Sequence, residues 1–437
     1  MRRKSNGLPP GRLARAVAAA GSIALTAGAV LVPSAAQAAE PIATDDSYLI
    51  SADTFFSTAV GAGLLANDLG IDLSALAVVQ TGPAHGALSP IGAGGSFTYQ
   101  PDAGFVGVDV FTYCLKLLPG TPCLGASATV TLQVDGVIER IGGADRYAVS
   151  AAVSAQKFPT GVDVAYVASG AVFPDALSAS AAAGDGGGPV LLVTKDSVPG
   201  AVAAELERLD PKRIVVTGGT DTVSAVVQTA LAAYSPVVAR IGGADRYAVS
   251  AAISAGAFDP KRPVVYVASG GVFPDALSGS AAAGAKGGPV LLVRKDAIPG
   301  EVKSELDRLD PATIVVLGGT STVAQSVEAE LRSMAPTTRI EGADRYAVSA
   351  SITATYFGSP DTRTVYVASG QVFPDALSGS AAAIRNGAPV LLVQKDGVPS
   401  LVALELDRLK PSRVVVLGGP DTVSEATYRE LAERSRG

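Results

Sequence analysis

The chain has 437 residues, 48% of them hydrophobic, with no Trp, two Cys, one His and a formal net charge of −6. That length predicts about three domains, and the acidic balance speaks against a nucleic-acid binder driven by bulk charge, so any anion binding has to come from local arginine clusters. His85, Cys114 and Cys123 all lie in the first third of the chain, so the rest cannot build a His or Cys metal site, a Ser-His-Asp triad or a thiol nucleophile.

The first residues read as a targeting segment. Arg2, Arg3, Lys4, Arg12 and Arg15 precede an apolar run from Ala16 to Val32, which Pro33 breaks. Ala36-Gln37-Ala38 then matches the small-residue cleavage pattern, which predicts a secretory signal peptide over 1–38, cut between Ala38 and Ala39. The alternative is a membrane anchor, for which the run is short and only moderately hydrophobic. No second apolar stretch of about 18 residues follows, so no membrane association is expected after cleavage.

Residues 39–136 carry strand signals. Ser96 to Tyr99, Asp109 to Leu115 and Ala128 to Val134 alternate apolar and polar residues, the period of half-buried antiparallel strands. Gly82-Pro83, Gly94-Gly95 and Pro119-Gly120 punctuate them. The pattern predicts a β-sandwich. Cys114 and Cys123 flank one turn; in an exported chain they are expected to pair, adding about 2–4 kcal/mol, the alternative being two free thiols. Ala43 to Tyr48, Leu64 to Asp68, Gly82 to Gly86, Phe97 to Pro101 and Gly104 to Tyr113 resemble a bacterial Ig-like, cadherin-like domain of surface proteins. Such domains are mostly spacers or adhesive modules. Some bind calcium, which makes Asp45, Asp46 and Asp68 candidates against the plainer reading of turn-forming acids. His85, in a turn, reads as structural.

The remainder is one unit written three times, over 137–238, 239–337 and 338–437. Arg-Ile-Gly-Gly-Ala-Asp-Arg-Tyr starts at Arg140 and Arg240, and Arg-Ile-Glu-Gly-Ala-Asp-Arg-Tyr at Arg339. Tyr166 to Ala183 returns as Tyr266 to Ala283 and Tyr366 to Ala383, changed at two positions. In the first copy the short apolar runs at Val164 to Ala168, Pro189 to Val193 and Arg213 to Thr217 suit strands covered on both faces. Between them, Val198, Val202, Leu206 and Leu209 make a single-face helical stripe, and so do Val223, Val226, Val227, Ala230, Leu231 and Tyr234. Alternating strands and helices predict a parallel sheet with helices on both sides. Asp145 is placed to cap a helix, Asp221 or Thr222 to cap the last one, and Pro174 to open another with Asp175 beside its positive end.

These motifs, with Pro-Val-Leu-Leu-Val and Val-Val-x-Gly-Gly, resemble the cell-wall-binding type 2 repeats that anchor exported proteins to Gram-positive envelopes. The resemblance implies a Toprim-like α/β fold, three modules around a pseudo-threefold axis, and non-covalent binding to an anionic, teichoic-acid-like secondary wall polymer. Glu341, where the other copies have Gly142 and Gly242, departs from the pattern and puts an acid near the third arginine pair.

Arg140, Arg146, Arg240, Arg246, Arg339 and Arg345 are the candidate polymer ligands, because a guanidinium holds phosphate or carboxylate oxygens in pairs. The competing role for Arg146 is an ion pair with Asp145 or Asp175. Lys195-Asp196 and its copies read as a solvated loop, and Arg208, Arg308 and Arg408 as cations suited to a helix C-terminus. No metal or cofactor is expected: no Gly-x-Gly-x-x-Gly or Walker sequence is present. An enzyme survives only through Asp175, Asp275 and Asp375, with no second acid evident, and Ser178 and Ser180 lack an activating base. The expectation is therefore a non-enzymatic surface protein that displays its Ig-like domain from the wall. The alternatives are a wall-modifying hydrolase using Asp chemistry and an adhesin acting through the Ig-like domain.

Overall fold

In the computed structural model, residues 41–436 are described, apart from 60, 72–74, 273 and 360. The expected leader and its Ala38–Ala39 junction lie outside the described residues. The β region contains β1 (Asp46–Ser51), β2 (Phe56–Ser57), β3 (Leu76–Thr81), β4 (Gly86–Leu88), β5 (Thr98–Pro101), β6 (Gly107–Lys116) and β7 (Leu124–Asp135). One sheet has the order β1-β7-β6-β3 and the other β2-β5-β4. In β7, Ala128, Val130, Leu132 and Val134 are all buried, as the period-2 alternation requires. They share a core with Phe97, Tyr99, Phe111 and Tyr113. The buried phenols find acceptors: Tyr99 donates to Asp109 at 2.8 Å and Tyr113 to Asp68 at 3.0 Å. Cys114 and Cys123 are joined across the β6–β7 hairpin, with Cα atoms 5.7 Å apart. His85 stacks on Phe105 with ring centroids 4.4 Å apart. Asp45 and Asp68 accept from the Thr129 and Thr44 N–H groups, both at 2.7 Å. Among the described residues no group of three or more acidic, His or Cys side chains is poised to hold a metal.

The first repeat runs β8 (Val137–Ile141), α1 (Arg146–Lys157), β9 (Ala165–Ser169), α2 (Pro174–Asp185), β10 (Val190–Val193), α3 (Gly200–Leu209), β11 (Ile214–Thr217) and α4 (Ala225–Leu231). The second runs β12 (Val238–Ile241), α5 (Arg246–Ala257), β13 (Val265–Ser269), α6 (Pro274–Ala285), β14 (Val290–Val293), α7 (Gly300–Leu309), β15 (Ile314–Leu317) and α8 (Gln325–Arg332). The third runs β16 (Thr337–Ile340), α9 (Arg345–Tyr356), β17 (Thr364–Ser369), α10 (Pro374–Arg385), β18 (Val390–Val393), α11 (Ser400–Leu409), β19 (Arg413–Leu417) and α12 (Glu425–Arg434).

The repeats exchange strands. The parallel sheets have the orders β10-β9-β11-β12, β14-β13-β15-β16 and β18-β17-β19-β8. Each takes its fourth strand from the next repeat, and the third is completed by β8 from the first. The three units therefore close into a ring, and the boundaries expected from the sequence fall at the strands that cross. The β region enters this ring directly. β7 passes through Gly136 into β8, and the Gly136 N–H donates to Ser435 O at 2.7 Å. A Cβ at 136 would lie 2.8 Å from that oxygen, so glycine allows the close approach.

Inside the ring α2, α6 and α10 pack on one another, bound in a cycle. Ser180 donates to Leu377 O at 2.9 Å, Ser280 to Leu177 O at 3.3 Å and Ser380 to Leu277 O at 3.3 Å. The late-helix arginines do not simply face the helix dipole. Arg208 forks onto the buried Glu205 with two 2.7 Å bonds and reaches Phe158 O at 3.0 Å. Glu205 also accepts from Ser154 at 2.5 Å. The third copy keeps Arg408 on Glu405, but Thr353 replaces the serine and donates back to Ser349 O at 2.9 Å. No helix among the described residues is long and apolar enough to cross a membrane.

Candidate functional site

The two arginines of each pair part company. Arg140 donates to Gly418 O at 3.1 Å and Val423 O at 2.9 Å, pairs with Glu425 at 3.2 Å and lies 4.6 Å from the Tyr428 ring centroid. Arg240 binds Gly218 O at 2.8 Å, Ser224 O at 3.3 Å and Gln228 at 2.8 Å. Arg339 binds Gly318 O at 2.6 Å, Val323 O at 3.0 Å and Glu328 at 2.8 Å. All three bind the loop after the neighbouring sheet strand, so their donors close the ring.

The second arginines stand beside the open ends of the sheets. Asp145 begins α1 by accepting from Tyr147 and Ala148 N–H at 2.9 and 2.8 Å, and Asp245 and Asp344 do the same for α5 and α9. Each cap places the next residue at the junction. Arg146 donates to Gly170 O at 2.6 Å, Arg246 to Gly270 O at 2.5 Å and Arg345 to Gly370 O at 2.5 Å. These cations also face the previous repeat: Arg246 lies 5.8 Å from the Phe173 ring centroid, and Arg146 5.9 Å from that of Phe373.

A groove results at the junction. Between repeats 1 and 2 a cavity of 190 Å³ is lined by Pro174, Asp175, Gly219, Asp221 and Thr222 of one repeat and by Gly243, Ala244, Asp245 and Arg246 of the next. Between repeats 2 and 3 the corresponding cavity measures 490 Å³ and includes Asp275, Thr322, Asp344 and Arg345, with Phe173 reaching in from the first repeat. At the closing junction the same partners recur: Thr422 donates to Asp375 at 3.3 Å, and Arg146 is the cation that faces it. All lie at the carboxyl ends of parallel strands, where open α/β sheets bind ligands.

The aspartate at the floor dictates the glycine above it. Gly218 has φ +97°, and a Cβ there would lie 2.2 Å from Oδ2 of Asp175; Gly318 and Gly418 repeat this against Asp275 and Asp375. Burial pushes the carboxyls of Asp175 and Asp375 above the ordinary carboxylate range, with partial relief from Thr222 and Thr422 and then from Arg246 and Arg146. Asp275 is raised by burial too, with Arg345 and then Thr322 opposing. Thr222 does not cap the last helix; its hydroxyl bonds Gly219 O at 3.0 Å and Asp175 at 3.5 Å.

Some of the groove was invisible in the sequence. The linear motif shows no second acid beside Asp175, but the fold adds Asp221 and Asp245 to the same lining. In the second groove Ser321 replaces that Asp221, and the Glu341 carboxylate stands near the lining Gly319, its Oε2 3.8 Å from a Cβ position there. Phe173 is also a groove element, and only its place in the repeated motif hinted at it.

The family model "Cell wall binding domain 2" matches residues 140–228, 240–328 and 339–428, and "Bacterial cadherin-like domain" matches 38–136. The chain is 25% identical to N-acetylmuramoyl-L-alanine amidase LytC of Bacillus subtilis (strain 168) over 301 residues, 69% of this chain and 59% of the relative. It is 29% identical to the amidase enhancer of the same organism over 300 residues, 68% of this chain and 40% of that one. The matches thus span about half the length of these relatives. Among solved structures, Cwp8 from Clostridium difficile aligns with a TM-score of 0.63 at 20% identity, over 76% of this chain and 60% of that one. Cwp6 from the same organism aligns at 0.66 and 18%, over 90% and 67%. Both share the fold.

Proposed function

We propose that this chain, which belongs to the cell wall binding domain 2 family through its three repeats, holds a wall polymer in its junction grooves. It is a cell-wall-binding surface protein; the manner of attachment is our reading. The observation that carries it is one groove at two junctions and the same aspartate, threonine and arginine at the third, each with a guanidinium from one repeat opposite the strand-end loops of another. The polymer is read as an anionic, teichoic-acid-like secondary wall polymer of a Gram-positive envelope. Arg146, Arg246 and Arg345 take its charged groups, and the glycine-rich loops and threonines take its hydroxyls. Arg140, Arg240 and Arg339 support those grooves from behind.

The grooves alone are weak sites. Each presents one cation, and exposed charge pairs contribute only about 0–1 kcal/mol. Three of them on one rigid ring meet a repeating polymer together, which raises avidity about 10²–10⁴ over one groove. In this reading the chain is exported, its leader is cut at Ala38, the Cys114–Cys123 bond forms outside the cell, and the cadherin-like domain is displayed. In this reading the chain is a binding protein and not an enzyme, because the groove aspartates accompany a cation in triplicate.

The test is to incubate the mature protein with purified walls before and after acid extraction of secondary polymers. Sedimentation with untreated walls, lost after extraction and without release of soluble fragments, is expected. Equal sedimentation with extracted walls would contradict the polymer, and release of fragments would favour the hydrolase.

A further inference from the structure

The third repeat departs from the other two at a second cleft, away from the grooves. This cleft measures 770 Å³ and is lined by Gln156, Lys157, Arg363, Asn386 and Arg413, with Asp361 and with Ala103 of the β region. Its size lies within the roughly 300–1,000 Å³ of small-molecule sites. The lining is mainly polar, unlike the buried sheet faces around it.

Its cations are not consumed by the fold. Lys157 and Arg413 share a single carboxylate, Glu139, at 2.6 and 3.4 Å. Arg363 makes no side-chain hydrogen bond or ion pair among the described residues; its stem packs on Gly104, where a Cβ would lie 2.9 Å from its Cδ. The β region thus holds the stem and leaves the guanidinium exposed. Three lining cations therefore meet one lining acid, Asp361, and the Glu139 carboxylate behind Lys157 and Arg413, in a chain whose net charge is −6.

The repeats supply an internal comparison. Arg363 corresponds to Asp163 and Pro263, Asn386 to Gly186 and Lys286, and Lys157 to Ala257 and Tyr356. Arg413 has Arg213 in the first copy and Thr313 in the second. The combination of two arginines, a lysine and a carboxamide thus occurs once, at the cleft that also borders the β region. Packing of the sheet does not demand it, because the other two sheets fold without it.

We propose that this cleft binds an anionic sugar unit. Arg363 and Arg413 would take its phosphate or carboxylate oxygens in pairs, while Gln156 and the Asn386 carboxamide, whose nitrogen also donates to Tyr366 Oη at 2.7 Å, would bond its hydroxyls. The site is separate from the junction grooves and does not depend on them.

Calorimetric titrations of the mature protein with glucose 1-phosphate, glucuronate and glucose test this. Saturable binding of at least one anionic sugar, with glucose at least about tenfold weaker, is expected. Arg363→Gln should weaken that binding by about tenfold or more at an unchanged melting temperature, since the lost head group has no protein partner. Asn386→Gly, which restores the residue of the first repeat, should weaken it too. Phosphate-selective or carboxylate-selective binding would each identify the anion. Equal affinity for glucose, no binding of either anionic sugar, or an unchanged affinity in Arg363→Gln would overturn the proposal.

Discussion

Ile384 occupies the space that Gly184 leaves open: a Cβ at position 184 would lie 2.5 Å from Cδ1 of Ile384. Gly284 yields to the same atom, at 2.4 Å. One large residue from α10 thus fills what two glycines from α2 and α6 vacate. The near-identity of the repeats is broken at the packed centre because three isoleucines would collide and three glycines would leave a void. Ile384→Ala should cost about 2–5 kcal/mol through the cavity it opens, and Gly284→Ala about 1–3 kcal/mol through overpacking. Thermal melts of both variants check this, and unchanged melting would show the centre to be loosely packed.

The first arginine of each pair should report on stability and not on binding. Arg140→Gln strands the carbonyls of Gly418 and Val423, at a cost of about 1–3 kcal/mol for buried acceptors left without a donor. The melting temperature of the ring should fall. A fall in wall retention with no change in melting would instead place Arg140 among the polymer ligands.

Most of the unit was legible in the sequence, for a physical reason. Strands such as β10, buried on both faces, must be continuous apolar runs, and helices such as α3 must carry one stripe, so both announce themselves. The ring was less legible. Strand β8 lies 276 residues before its partner β19, taking Val137 and Arg413 as the paired residues, and no local pattern records which sheet an edge strand joins. For the same reason the sequence names both arginines of a pair together, whereas the chain turns at Gly142-Gly143 and gives Arg140 and Arg146 different partners. The sequence offers Asp221 or Thr222 as the helix cap, and no local pattern records that Thr222 has its carboxylate partner, Asp175, 47 residues away.

Asp46 titrates unusually. Burial pushes its carboxyl up to about 7, with Asp68 and Asp45 adding to the effect and Tyr113 and Asn67 opposing it. A carboxyl whose folded value exceeds its unfolded value of 3.8 binds protons more tightly in the native state. Its ionisation therefore costs stability above about pH 7, and that cost is relieved as the pH falls towards 3.8. A carboxyl-carbon NMR titration should show a midpoint near 7 for Asp46, and Asp46→Asn should flatten the pH dependence of β-region melting across that window. A midpoint near 4 would contradict this.

The Cys114–Cys123 bond closes a short loop, for which the chain-entropy relation gives about 3 kcal/mol. Its sequence separation is nine residues. Replacing both cysteines by serine should lower the melting of the β region. Intact mass of the exported protein with and without alkylation reads the bond directly, and two alkylatable thiols in the absence of reductant would show that it does not form.

The most direct test of groove binding replaces Arg146, Arg246 and Arg345 by Gln together and measures sedimentation with purified walls. One replacement should weaken retention modestly, since two grooves still act in concert. The triple variant should stay in solution while circular dichroism shows the native ring, and high salt should release the unaltered protein. A folded triple variant that sediments like the unaltered protein would contradict the account and move the binding surface out of the grooves.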